Sequence, residues 1–381
     1  MAQETKKITE LTALDSFTTS TLFVTHNGTG ARKATMQQLL NYLPNLANMG
    51  SSTEGARVHN GIYRGKNLGT SVTSAQYDAI GTGTFTDMYI GDYWVIGSKN
   101  YRIVAFDYYR RCGDGNNNAA FKWVDGNNVE HTIPILGDVN KHHVTIMPDA
   151  PLYNASMNPT NTTDGGYAGS VMYRGTTVYT APVGTTYYTT SACTTEGGTI
   201  ETATEVTPVS GGTAGSIVIS DTTYYVLLAD CTQSYDARSS GLASAKDTVV
   251  NAFGDTHILG MRKYLVNAAS EGVGTGGGWF DSFLELPNEV NMYGSCIVGA
   301  MNSNNINHYK YTVDKTQFPL FRFAPDLISN RLYFWLQDIV SSASFARVDN
   351  YGRAYGSGAY GSNGVRPVFS SNCSFSENKG F

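Results

Sequence analysis

The sequence predicts an α+β chain in which strands outnumber helices, built as a small N-terminal segment, a linker and one large domain interrupted by a β-rich insertion. Three observations carry that reading. Apolar residues recur in short runs with alternating polar positions, bounded by Gly, Asn and Ser, which is the pattern of half-buried strands. Only 15% of the 381 residues are charged and 41 are glycine, whereas an average globular domain is about 25% charged. Finally, the block 306–369 begins apolar and aromatic and ends in small polar residues with tyrosines spread among them.

The first unit covers residues 1–49. A β run at 21–25, a turn around Asn27-Gly28 and a second run ending at Thr35 read as a hairpin, because Asn-Gly supplies the positive φ angles a tight turn needs. Thr35 with Gln38 three residues on reads as a capping box opening a short helix that stops before Pro44. So small a unit buries little apolar surface and is expected to dock on a partner or on copies of itself. Residues 50–60 are a linker by composition.

The large domain begins at 61. In its first part, 61–172, the pattern gives a short helix at 74–80 capped by Ser74, strands at 89–97 and 101–109 joined by a turn at 97–100, a loop at 112–118, and strands at 131–136 and 143–148. Residues 173–232 change character: Thr, Gly, Val and Tyr dominate and charge nearly vanishes. Short runs at 178–180, 187–190, 199–206, 216–219 and 224–229 predict a β-rich insertion standing out from the main domain. The second part, 233–381, opens with a helix at 244–253 and a segment at 257–267. A Gly-rich run at 272–278, read as flexible, then leads to Trp279, Phe280 and Phe283.

The terminal block is the most informative. Phe318, Leu320, Phe321, Phe323, Leu327, Ile328, Leu332, Phe334, Trp335 and Leu336 are expected inside, since exposed apolar surface costs roughly 25 cal/mol per Å². Residues 345–363 cannot fill a core, yet they carry Tyr351, Tyr355 and Tyr360 on a backbone of Gly, Ser and Asn. Binding loops use that mixture: Tyr gives a rigid amphipathic contact at low entropic cost, and the small polar residues adapt their hydrogen bonds. The block therefore reads as a recognition surface over a packed support.

Several motifs carry a family likeness. YFWLQD at 333–338, SASFA at 342–346, NYG at 350–352 and SNGVRPVF at 362–369, with NNINHYK at 304–310 and PLFR at 319–322 upstream, resemble the ending of gut-phage tail-fibre and receptor-binding proteins. Those proteins end in a C-type-lectin-like domain related to formylglycine-generating enzymes. The ITEL, hairpin and helix order of residues 1–49 likewise resembles the virion-attachment segments of phage tail-fibre and baseplate proteins. Gln337 departs from the pattern, which usually has Arg there. The likeness implies a C-type-lectin-like domain over 61–172 and 233–381. It also implies a virion location after synthesis in the host cytoplasm, a homotrimer, attachment to other tail or baseplate proteins through residues 1–49, and a bacterial cell-surface receptor. In this family the stretch before the Gly-Val-Arg-Pro ending is often varied by diversity-generating retroelements. By position that implies ligand contacts from Arg347, Asp349, Tyr351, Arg353, Tyr355, Ser357 and Tyr360.

The implied function is recognition of a surface glycan or protein without catalysis, with a structural virion part (head fibre or baseplate protein) as the alternative and a tail-borne depolymerase behind it. The net charge of −5 argues against nucleic acid, whose phosphates need clustered Lys and Arg. No stretch approaches the ~20 apolar residues of a membrane span, and no signal peptide opens the sequence. Cys112, Cys193, Cys231, Cys296 and Cys373 are scattered without a CxxC, so reduced thiols are expected, Cys193 with Cys231 being the one pair that suggests itself. HExxH, GxSxG and P-loop motifs are absent. Glu271, Asp281, Glu285 and Glu289 are the acidic residues a depolymerase would draw on, with solvated loop charges as the other reading. His142-His143 reads as a polar strand end, since strand neighbours point to opposite faces. Leu286-Pro287-Asn288 lacks the carboxylate that calcium-binding lectins carry before the proline, so no calcium or other cofactor is expected.

Overall fold

The computed structural model describes residues 22–26, 31–35, 55–109, 120–134, 142–163, 166–236, 240–270, 273–300 and 316–372. Strands dominate, with a few short helices. The expected helix after Thr35, the loop at 112–118, residues 304–310, and Cys112, Glu271 and Cys373 lie outside the described residues. Of the N-terminal segment, the two strands of the expected hairpin are described: Leu22–His26 and Ala31–Thr35 pair antiparallel from Leu22↔Thr35 to His26↔Ala31.

Two larger sheets build the main domain, beside two two-stranded ones, Met261–Ser270 with Val273–Ser282 and Ala120–Val124 with Glu130–Pro134. The core sheet runs in the order Ile258–Leu259, Val368–Ser371, Val144–Pro148, Lys99–Phe106, Tyr93–Ile96, with Leu284–Glu285 also pairing on Val368–Ser371. Lys99–Phe106 is buried from Tyr101 onward, as a central strand covered on both faces must be. It turns from Tyr93–Ile96 through Gly97 and Ser98 alone, at φ of 55° and 64°, the paired positive angles that match the right-handed strand twist. The second, or tip, sheet runs Ala354–Gly358, Ser344–Val348, Phe334–Ser341, Ser362–Val365, Tyr153–Ser156.

Two chain segments pass from one sheet to the other side by side. Val144–Pro148 continues into Tyr153–Ser156, and Ser362–Val365 into Val368–Ser371; the segments pair with each other in both sheets. At this crossing the backbone leaves the ladder, and freed carbonyls need donors. Arg366 supplies them. Wholly buried, it donates from Nε to the Pro148 carbonyl at 2.8 Å and from Nη1 towards that of Leu327 at 3.4 Å, with its guanidinium 5.0 Å from the Phe334 ring centre. Burial pulls its pKa down to about 10. Arg102 grips Asp149 at the same bend, at 2.7 and 2.5 Å. One hydrophobic cluster runs through both sheets. Trp335 lies wholly inside it, its indole N–H donating to the Ala155 carbonyl at 2.8 Å.

Residues 176–236 form a separate seven-stranded sheet, in the order Glu196–Thr199, Thr186–Tyr188, Thr222–Leu227, Ala214–Ile219, Thr204–Pro208, Thr176–Ala181, Thr232–Asp236. Its own small core comprises Ala181, Ile200, Val206, Ile217 and Val226. The run expected at 199–206 is two strands, and a last strand beyond residue 232 closes the unit by pairing Asp236 with Thr176.

Four other expectations are corrected. The Gly-rich run belongs to a ten-residue strand, Val273–Ser282, paired along Met261–Ser270 with register shifts at Val266–Ala269; a ladder partner orders glycines that have little strand preference of their own. The helix Ser74–Gly81 is capped by Thr73, whose hydroxyl accepts from Gln76 N–H while the Gln76 side chain accepts from Thr73 N–H. Phe323 and Leu332 are exposed, Leu332 following Arg331 at a φ of 63°. Cys193, Cys231 and Cys296 are free thiols, as the reading of reduced cysteines expects; only the one pair that suggested itself, Cys193 with Cys231, is corrected, since the two are not bonded.

Candidate recognition surface

The outermost strand of the tip sheet, Ala354–Gly358, is reached through a turn that Asp349 organises. Its Oδ1 accepts from the N–H groups of Tyr351 at 2.8 Å and Arg353 at 3.0 Å, and Oδ2 accepts from Arg353 Nε at 2.8 Å. The backbone closes the turn through Gly352 N–H to the Asp349 carbonyl, 2.9 Å. Gly352 sits at a φ of 84°, 2.9 Å from the Ser329 Cβ where its own Cβ would stand, so a side chain there is disfavoured twice. Tyr293 donates its hydroxyl to the Gly352 carbonyl at 3.1 Å, and Ser329 donates to that of Asn350 at 3.3 Å.

Beyond this turn the strand pairs with Ser344–Val348, placing Tyr355 opposite Arg347 and Ser357 opposite the buried Phe345. The sequence-predicted tyrosines all face solvent: Tyr351 is 69%, Tyr355 57% and Tyr360 67% exposed. Tyr360 lies so close to Gly358 that an added Cβ would meet its ring at 2.7 Å. Arg353 is exposed, with its guanidinium 5.1 Å from the Tyr351 ring centre. Ser357 is half-buried. Asp349 differs from expectation. Only 4% exposed, it holds the turn instead of facing a ligand. Burial opposes its charge, but the backbone N–H and guanidinium of Arg353 and the N–H of Tyr351 outweigh that and lower its pKa.

Arg347 is half-buried and pinned. Its Nη1 donates to Oδ1 of the buried Asn363 at 3.0 Å, and the guanidinium lies 4.5 Å from the Tyr333 ring centre and 5.7 Å from that of Tyr355. Sequence reasoning missed Tyr333 and Asn363. Tyr333 sits in an aromatic run and is 43% exposed, although Phe334, Trp335 and Leu336 beside it are wholly buried; its hydroxyl was the available signal.

The other candidate groups serve the fold. Glu289 is buried and accepts from the N–H groups of Ile297, Val298 and Gly299 at 2.8, 3.0 and 2.9 Å. Glu285 is buried, with Arg174 Nη1 3.3 Å from its Oε2. Asp281 is buried too, so none of these three is a solvated loop charge. Cys296 lies against Glu289, and burial with that carboxylate raises its thiol pKa to about 12, away from reactivity. His142 and His143 both engage Asp107, the first through Nδ1 at 2.7 Å and the second through its backbone N–H at 2.9 Å. Asn288 caps the helix Glu289–Tyr293. Gln337 takes a contact from Lys263 at 3.4 Å, and Asp338 accepts from the Glu289 N–H at 2.7 Å. Among the described residues no three His, Cys, Asp or Glu side chains converge as a metal site, and no helix is long and apolar enough to cross a membrane.

The chain matches no protein-family model, no curated protein and no solved structure.

Proposed function

We propose that this chain is a receptor-binding protein of a phage virion, a tail fibre or spike that recognises a bacterial surface glycan or protein through a C-type-lectin-like domain. The observation that supports it best is the contrast at the tip: three tyrosines stand more than half exposed on the edge of a sheet whose next layer, Phe345 and Trp335, is wholly buried. Apolar rings held in water by a rigid support favour a partner that covers them. Contact here needs no chemistry: rings stack on a sugar face or an apolar side chain, and Arg347 and Arg353 give direction to polar bonds. In this reading residues 1–49 attach the protein to other tail or baseplate proteins, and a homotrimer multiplies weak sites into avidity of about 10²–10⁴ over a single one.

Replacing Tyr351, Tyr355 and Tyr360 together by Ala is expected to abolish adsorption of the protein to host cells with near-unchanged melting. A variant that adsorbs normally, or one that fails to adsorb because it has unfolded, would overturn the reading.

A further inference from the structure

Among the described residues, no carboxylate stands within ion-pair distance of the cation at the centre of the tip. Arg353 has Asp349, at 2.8 Å. Arg347 has no carboxylate partner among the described residues: Nη1 meets a neutral amide, and Nε is buried with no acceptor. Two guanidiniums against one carboxylate leave the surface locally positive on a chain of net charge −5. A guanidinium near two tyrosine rings, 4.5 and 5.7 Å from their centres, and tied by a buried Asn is held in place before any ligand arrives, so less freedom remains to be lost on binding. With Nε covered and one Nη1 proton given to Asn363, the second Nη1 proton and those of Nη2 are left for a ligand, and the Nη1–Nη2 spacing matches the two oxygens of a carboxylate.

Resting on the recognition role proposed above, we infer that this surface takes an acidic sugar, whose ring carboxylate meets the Nη1–Nη2 edge of Arg347 while its C–H face lies on Tyr355. The rings of Tyr333 and Tyr355 flank the cation, so an anion borne on a flat ring uses the charge and the aromatic faces together. A bare phosphate uses the charge alone. An acidic peptide brings a carboxylate on a flexible stem, with no rigid face for the tyrosines.

The test titrates the full-length protein with oligogalacturonate, its methyl ester, a sialic-acid oligomer, polyglutamate and inorganic phosphate. Binding of at least one acidic oligosaccharide is expected. For oligogalacturonate, about a tenfold or greater loss is expected on esterification, and Arg347→Gln should weaken either acidic oligosaccharide as much, the size of one charge-assisted contact. Failure of both acidic oligosaccharides to bind, equal binding of ester and acid, an unaffected Arg347→Gln variant, or tighter binding of polyglutamate or phosphate overturns the inference. Should Arg347→Gln lower the melting temperature, the acid-against-ester comparison on the unaltered protein decides. The two readings fail separately. If the triple tyrosine variant loses adsorption to cells while Arg347→Gln adsorbs normally, recognition stands and the acidic sugar does not.

Discussion

Asp349 offers the sharpest test of how the tip is built, because the sequence reading expects a ligand contact there and the structure gives it a turn to hold. In Asp349→Ala the N–H groups of Tyr351 and Arg353 lose their acceptor. A buried donor left unpaired costs about 1–3 kcal/mol; both donors are only part-buried, so the pair should cost about 2–4 kcal/mol in all. Asp349→Asn keeps an oxygen for both donors and loses only the charged link to Arg353, which solvent screens, so its cost should be well under half of that. Arg353→Ala should leave stability almost unchanged. Urea unfolding of the three variants gives this ladder directly. The order Ala, then Asn, then Arg353→Ala is required. Equal losses for Asn and Ala, or a larger loss for Arg353→Ala than for Asp349→Ala, would refute the turn-holding role. The pH dependence has a defined sign. A depressed carboxylate pKa contributes stability above the ordinary value of about 3.9, and that contribution is lost as pH falls through the folded-state value. Asp349→Asn should flatten the acid limb.

Three further outcomes are expected. Trp335→Ala should cost about 3–5 kcal/mol for the emptied core site, read as a fall in melting temperature of roughly 10 °C; a shift of a degree or two would contradict the buried position. Lys246, buried with Nζ on Ser240 Oγ at 3.2 Å, has its pKa pulled down to about 8 by burial, against the pull of Glu285. Between that value and the ordinary 10.5 the unfolded state holds more protons, so stability should rise with pH from about 8; Lys246→Met should abolish that rise, and an unchanged slope would contradict it. Because Thr176 and Asp236 pair at the mouth of the seven-stranded sheet, replacing residues 176–236 by two glycines should leave a main domain that still melts cooperatively, as followed by calorimetry.

What the sequence made legible was what local pattern alone decides. The strand pair around 93–106, a turn beginning at Gly97 and the exposure of Tyr351, Tyr355 and Tyr360 follow from strand and turn chemistry, but the expected half-buried alternation does not hold, since Lys99–Phe106 is buried throughout from Tyr101. What it hid depends on partners distant in the chain. The glycines of Val273–Ser282 are strand because Met261–Ser270 lies beside them, and nothing in their own composition says so. Glu289 is buried because three backbone N–H groups eight to ten residues later turn towards it. Arg366 is buried because the chain crosses between sheets at that point. Asp349 was nearer to legible: Asp at the first position of a turn and Gly at the fourth, here Gly352, is a turn signature in its own right.

The central claim is that a fixed buried layer presents tyrosines to a bacterium. Tyrosine nitration of the assembled protein, mapped by mass spectrometry with and without host cells, tests it most directly. Tyr351, Tyr355 and Tyr360 should react in the free protein and be protected by cells, while the buried Tyr101 and Tyr109 stay unmodified throughout. If the three tip tyrosines are as inert as Tyr101 in the free assembly, they are sealed between subunits and the account fails.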